Sequence, residues 1–249
     1  MSPGVTYRKR RASTVALALL LLAALIGLTA AAGSDAKGSG AKVLGAVKDT
    51  PKLPCPGADC AGTGSVTGFQ VSANGKKGLF RIPGDGHLVA WSIDISRPSD
   101  EDIEGFGELF EDKKFGTDPV AKLAVLQKKG KKSRYKLAKQ SPTVNLMPEL
   151  GRKPIFTLNK PLKVKRGQVA ALTMPTWSSN WTGDVSVGAN AWKASRPEGE
   201  CGVESVPDAK PHLRKGTTRA YGCNLTGERI LYWAYFVPEK GKGGGGKNG

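Results

Sequence analysis

The stretch from Phe156 to Trp177 constrains this chain more than any other. Leu162 and Val164 alternate with Lys163 and Lys165, Arg166-Gly167 offers a turn, and Val169 to Met174 runs apolar up to Pro175. Alternation puts one face of a strand in a core and the other in water. An unbroken apolar run is a strand covered on both faces. A strand–turn–strand pair of this kind predicts an all-β chain, an antiparallel β-sandwich of jelly-roll-like type built around the pair. The 33 glycines and 16 prolines fit such a turn-rich fold with flexible ends.

The N-terminus reads as an address. Arg8-Lys9-Arg10-Arg11 precedes an apolar run from Val15 to Leu28, and Ala30-Ala31-Ala32 supplies small residues for cleavage. This is the pattern of a secretory signal peptide, helical and cleavable, over residues 1–32. The alternative is an uncleaved membrane anchor through residues 12–32, since the stretch with its flanks approaches the length that spans a bilayer. Residues 33–54 follow as a Gly-, Ala-, Ser- and Lys-rich leader, 55–238 as the sandwich domain, and 239–249 as a disordered basic glycine tail.

Cys55, Cys60, Cys201 and Cys223 form an even set in a chain expected to be exported, which implies disulfides. Of the three possible connectivities, Cys55–Cys60 and Cys201–Cys223 close local loops that hold turn formers. A four-cysteine zinc site fits poorly, because the spacing lacks the usual pairs.

Thr67 to Ala73, Asn74-Gly75 and Gly78 to Ile82 suggest a hairpin, and Pro83-Gly84-Asp85-Gly86 turns into a third strand, His87 to Ser96. In that strand His87, Val89, Trp91, Ile93 and Ile95 share the face expected to be buried. His87 starts the strand beside a turn. The other histidine, His212, sits in a Pro- and Lys-rich loop expected to be solvated. Leu231 to Val237 is apolar on both faces and belongs in the middle of a sheet.

Three clusters are candidates for chemistry. Asp100, Asp102, Glu104 and Glu111 occupy positions 1, 3, 5 and 12 of a window with Gly105 at 6, close to a calcium loop in which alternating oxygens converge on one hard cation. Against it, Trp91 to Pro98 reads as strand and proline, so no entering helix exists. The competing reading is a helical turn capped by Ser99, with Phe106, Leu109 and Phe110 docking on the sandwich. No other cofactor is indicated. The second cluster is Lys128, Lys129, Lys131 and Lys132 at a hairpin tip, where phosphates or anionic polymers could be met. It lacks interleaved aromatics, so specific nucleic-acid binding is not expected. The formal net charge of +17 points the same way, towards polyanions or simply towards solubility.

The third cluster is Trp177, Trp181 and Trp192 with Asn180 and Asp184. Aromatic faces stack on sugars while amides and carboxylates bond hydroxyls. The same indoles could instead close the end of the sandwich. Phosphate loops, dinucleotide fingerprints, Gly-x-Ser-x-Gly elbows and His-Glu-x-x-His are all missing from the sequence. A glycosidase needs only two carboxylates, for which Glu198, Glu200 and Asp184 are the candidates.

Leu88-Val89-Ala90-Trp91-Ser92, Ala124-Val125-Leu126, Gln140-Ser141-Pro142, Pro161-Leu162-Lys163-Val164 and Ala171-Leu172-Thr173 carry a resemblance. From about Gly68 to Trp192 the chain resembles uncharacterised exported proteins of high-GC Gram-positive bacteria. The resemblance implies export and a jelly-roll-like sandwich, and brings no activity or site residue. The expectation is a secreted or wall-associated noncatalytic protein binding glycan or anionic wall polymer. A glycan-cleaving hydrolase and a structural scaffold are the alternatives.

Overall fold

In the computed structural model, which describes residues 40–202 and 209–239, the unbroken run becomes β9 (Val169–Ser178), the middle strand of the larger of two main antiparallel sheets. Its neighbours are β5 (Val120–Lys129) on one side and β2 (Thr63–Ala73) on the other. Outside these lie β6 (Arg134–Gln140) and β12 (Thr218–Ala220) beyond β5, and β11 (Ala191–Ala194) and β13 (Cys223–Thr226) beyond β2. Two short strands attach at the side, β3 (Lys76–Lys77) on β2 and β7 (Val144–Asn145) on β5.

The smaller sheet runs β1 (Lys42–Leu44), β15 (Tyr232–Pro238), β4 (Gly86–Ile93), β8 (Ile155–Val164). A third pairing joins β10 (Trp181–Thr182) to β14 (Arg229–Ile230). The helix α1 spans Asp100–Leu109, and a single 3-10 turn spans Met147–Glu149. The two main sheets share one core: Trp91, Ile93, Tyr232 and Phe236 come from the smaller, and Leu123, Leu172, Met174 and Trp177 from the larger. This is an all-β sandwich, as expected. Leu231–Val237 supplies β15, an interior strand, with Trp233 only 6% exposed.

Three expectations about pairing are corrected. First, β8 and β9 do not pair. Lys165 to Gln168 carries the chain from the edge of one sheet to the centre of the other, with Gly167 at φ +82° and the Lys165 N–H donating to Gln168 Oε1. Each strand takes the place its pattern demands. The alternating β8 is an edge with one wet face, and β9 needs neighbours and cover on both sides. Second, Asn74-Gly75 does turn β2 into β3 with both residues at positive φ, but the chain then leaves for the smaller sheet. There β4 pairs with β15 and β8, not with the preceding hairpin. Third, both of those pairings shift register in the first half of β4. A bulge resets the alternation. Leu88 therefore faces the core while Val89 and His87 stay half-exposed, and the expected inward face holds only from Trp91 to Ile95.

The larger sheet curls strongly. Only Tyr221-Gly222 separates β12 from β13, yet these strands lie at opposite ends of the sheet. Phe69 on β2 and Tyr135 on β6, three strands apart, meet with ring centroids 5.2 Å apart. The sheet is thus a half-barrel. Its hollow holds a second apolar cluster of Phe69, Ala124, Leu126, Tyr135, Leu137, Ala171 and Tyr221.

Both expected disulfides form, Cys55–Cys60 and Cys201–Cys223. No helix among the described residues is long and apolar enough to cross a membrane. The expected signal segment 1–32, the first part of the leader and the tail from 240 lie outside the described residues.

Candidate binding cleft

The acidic segment is a helix, not a twelve-residue loop. Ser99 Oγ accepts the Asp102 N–H at 3.1 Å, and Asp102 returns a bond to the Ser99 backbone, closing a capping box. The early acids favour the positive end of the helix dipole. Helical geometry sends Asp102 to a different side from Asp100 and Glu104, so these oxygens do not converge as a calcium loop requires. Among the described residues no three His, Cys, Asp or Glu side chains gather closely enough to hold a metal. Phe106 and Phe110 dock as expected, while Leu109 stays 51% exposed.

The tryptophans divide. Trp177 is completely buried, its Nε1–H donating to the Thr117 carbonyl at 2.7 Å and its ring against Phe106 at 5.4 Å. It belongs to the core and offers no face to a ligand. Asn180 is also buried. Its backbone carbonyl accepts from Leu231, and its amide finds no partner among the described residues. Asp184 is exposed on a turn at φ +52°.

Trp181 and Trp192 do come together, through a residue that sequence reasoning missed. The Trp181 Nε1–H donates to Glu228 Oε2 at 2.7 Å, and the Trp192 Nε1–H donates to the same oxygen at 2.9 Å. Glu228 reaches this position because it immediately precedes β14, and β14 pairs with β10, which starts at Trp181. The only sequence signal was a single acid in front of the apolar closing run. Gly68 completes the seat, since a Cβ there would collide with the Trp192 ring.

These three residues line an open cleft of about 190 Å³, with Phe110, Leu225 and the glycines of 62–64 supplying the apolar wall. Arg196 lies on the rim, donating to the carbonyls of Gly202 and Gly64. Trp192 forms the floor at 3% exposure, and Trp181 is the half-exposed wall. One carboxylate fixes both rings, so their orientation is set before any ligand arrives. Glu228→Ala is expected to cost about 1–3 kcal/mol by leaving two indole N–H groups without an acceptor, read as a lowered urea midpoint.

Glu228 is the one carboxylate among the described residues lining this cleft. Glu200 borders a separate one of about 260 Å³ with Arg196, Lys210 and Arg219. The lysine tip is where expected. Lys128, Lys129, Lys131 and Lys132 are all exposed around Gly130, which turns at φ +66°.

His212 corrects another expectation, for it is fully buried at the half-barrel. Its Nδ1 lies 3.2 Å from the Tyr221 hydroxyl, and its Nε2 lies 3.1 Å from the Thr217 carbonyl and 3.0 Å from Thr217 Oγ1. Burial, helped by the Arg219 charge, pulls its pKa down to about 4. Burial raises the Tyr221 hydroxyl well above its ordinary range. Neither residue lines a cleft described above; the pair is packed as a polar knot at the half-barrel. Comparison with known proteins gave no match to any family model, any curated sequence or any solved structure.

Proposed function

We propose that this protein is an exported, noncatalytic, jelly-roll-like sandwich that binds a glycan, with one sugar ring seated in the Trp181–Trp192–Glu228 cleft. The observation that carries the reading is the convergence of two indoles on one carboxylate in an open apolar cleft. The half-exposed Trp181 ring offers a face for the C–H side of a sugar. Glu228 Oε1, which makes no hydrogen bond among the described residues, remains to accept sugar hydroxyls. A mostly apolar recess with a few placed polar groups is the usual form of a small-ligand site. A paired-carboxylate hydrolysis would need a second acid across the ring, and Glu228 has no such companion among the described lining residues. Export is supported by the two disulfides, which persist in oxidising compartments.

The test is a glycan array and a wall-fraction pull-down with the full chain and with Trp181→Ala. Loss of about tenfold or more in affinity, with the fold unchanged by circular dichroism, is expected. Absence of binding to every glycan and wall fraction would leave the scaffold reading in its place.

A further inference from the structure

The structure gathers more positive charge around the hairpin tip than the sequence displays there. The β5–β6 register sets Lys129 opposite Arg134 and Lys128 opposite Tyr135. The β6–β12 register sets Arg219 opposite Tyr135 on the next strand. Lys193 arrives from β11 across the half-barrel, its Nζ donating to Ser133 Oγ at 3.2 Å. Three separate stretches of chain, contributing four strands, thus form one basic rim. None of these cations makes an ion pair among the described residues. The ion pairs among the described residues are Arg152–Glu149 and Lys163–Glu239, neither of which involves the rim. Arg219 borders a cleft with Glu200 but is not paired with it.

We propose that this rim binds a linear phosphodiester polymer that carries no bases. The charges flank the hairpin edge on both faces, since Lys129 and Arg134 alternate with Lys128, Tyr135 and Arg219, and neighbouring strands lie about 4.8 Å apart. No single small anion reaches more than a few of them, whereas a chain with a charge on every repeat reaches them all. Arg134 supplies a planar fork suited to two oxygens of one phosphate, Arg219 adds the N–H groups left beside its Nη1 bond to the Lys210 carbonyl at 2.6 Å, and the lysines supply point charges. A nucleic acid is disfavoured because the one aromatic ring of the rim, Tyr135, is 8% exposed and packed against Phe69 and Tyr221. It leaves no platform for stacked bases. The rim is distinct from the sugar cleft. Lys193 and Trp192 are successive residues of β11 and point to opposite faces of the sheet, so either proposal can fail without the other.

The experiment measures binding of the full chain to synthetic poly(glycerol phosphate) across a salt series. Affinity should fall linearly on a log–log plot, by about 0.7 in slope for each phosphate neutralised. Replacing Lys128, Lys129, Lys131 and Lys132 together by Gln should reduce the slope by about 3, and Arg219→Gln or Lys193→Gln by about 0.7 each, on the same relation. Trp181→Ala should leave the slope unchanged. These are exposed or half-exposed side chains, and circular dichroism checks that each variant is folded. Three results would overturn the proposal: no binding at low salt, a slope unaltered in the fourfold variant, or equal or tighter binding of single-stranded DNA or polygalacturonate at matched charge.

Discussion

Trp177→Ala is expected to destabilise the domain by about 3–5 kcal/mol, the usual cost of truncating a fully buried large aromatic. Trp177 is completely buried, and its ring meets Phe106 of α1. Truncation would empty the corner where the helix packs on β9. It would also leave the Thr117 carbonyl without the indole N–H that it accepts at 2.7 Å. Trp177→Phe fills most of the space and removes only that bond, so about 1 kcal/mol is expected. Urea denaturation of both variants gives the comparison. Trp181→Ala, at the half-exposed wall of the cleft, should cost much less stability while removing ligand affinity. If Trp177→Ala proved as mild as Trp181→Ala, the division between core and cleft indoles would be wrong.

Acidification from about pH 6.5 to about pH 4 is expected to remove about 3 kcal/mol of stability through His212 alone. The unfolded side chain has its ordinary value of 6.5 and the folded one about 4. Between those values the unfolded chain takes up a proton that the folded chain refuses. Stability therefore falls as pH falls through that window, by about 1.4 kcal/mol for each pH unit. The refusal has a structural cause. The imidazole is buried, its two nitrogens are engaged by Tyr221 and Thr217, and Arg219 adds a repelling charge. Urea midpoints between pH 7 and pH 4.5 measure the loss. His212→Gln should lower stability at neutral pH but flatten that slope, and an equally steep slope in the variant would rule His212 out as its source. The neutral form suits the ring's partners, an Nε2–H facing the Thr217 carbonyl at 3.1 Å while Nδ1 accepts from the Tyr221 hydroxyl at 3.2 Å. A charge there would sit in the hollow between two strands of the sheet.

Much of the architecture was legible along the chain. Alternation in β8 and continuity in β9 announced an edge strand and a central strand, and Leu231–Val237 announced another interior strand. Asn74-Gly75 marked its turn, Ser99 marked its cap, and the cysteines paired within their own loops. Each of these is a local consequence of backbone geometry, pleat period or short loop closure, so a sequence window contains the whole cause. The strand pairings were not legible. Whether a strand joins its predecessor or crosses to the other sheet depends on cover that arrives from distant segments. The bulge in β4 that turns Leu88 inward and Val89 outward is likewise imposed by β8 and β15 together.

The candidate site shows the same division. Sequence alone determined that the chain is rich in paired strands, strongly basic, disulfide-closed and furnished with indoles near Asn180. Tertiary structure decided which indoles matter. It buried Trp177 behind α1, brought Trp181 and Trp192 onto Glu228 from 47 and 36 residues away, sank His212 into the half-barrel, and added Lys193 and Arg219 to the lysine tip. Composition states which groups a chain owns. Only the curl of the larger sheet and the β10–β14 pairing bring groups remote in sequence within hydrogen-bond range, because those contacts exist only once the chain has closed on itself.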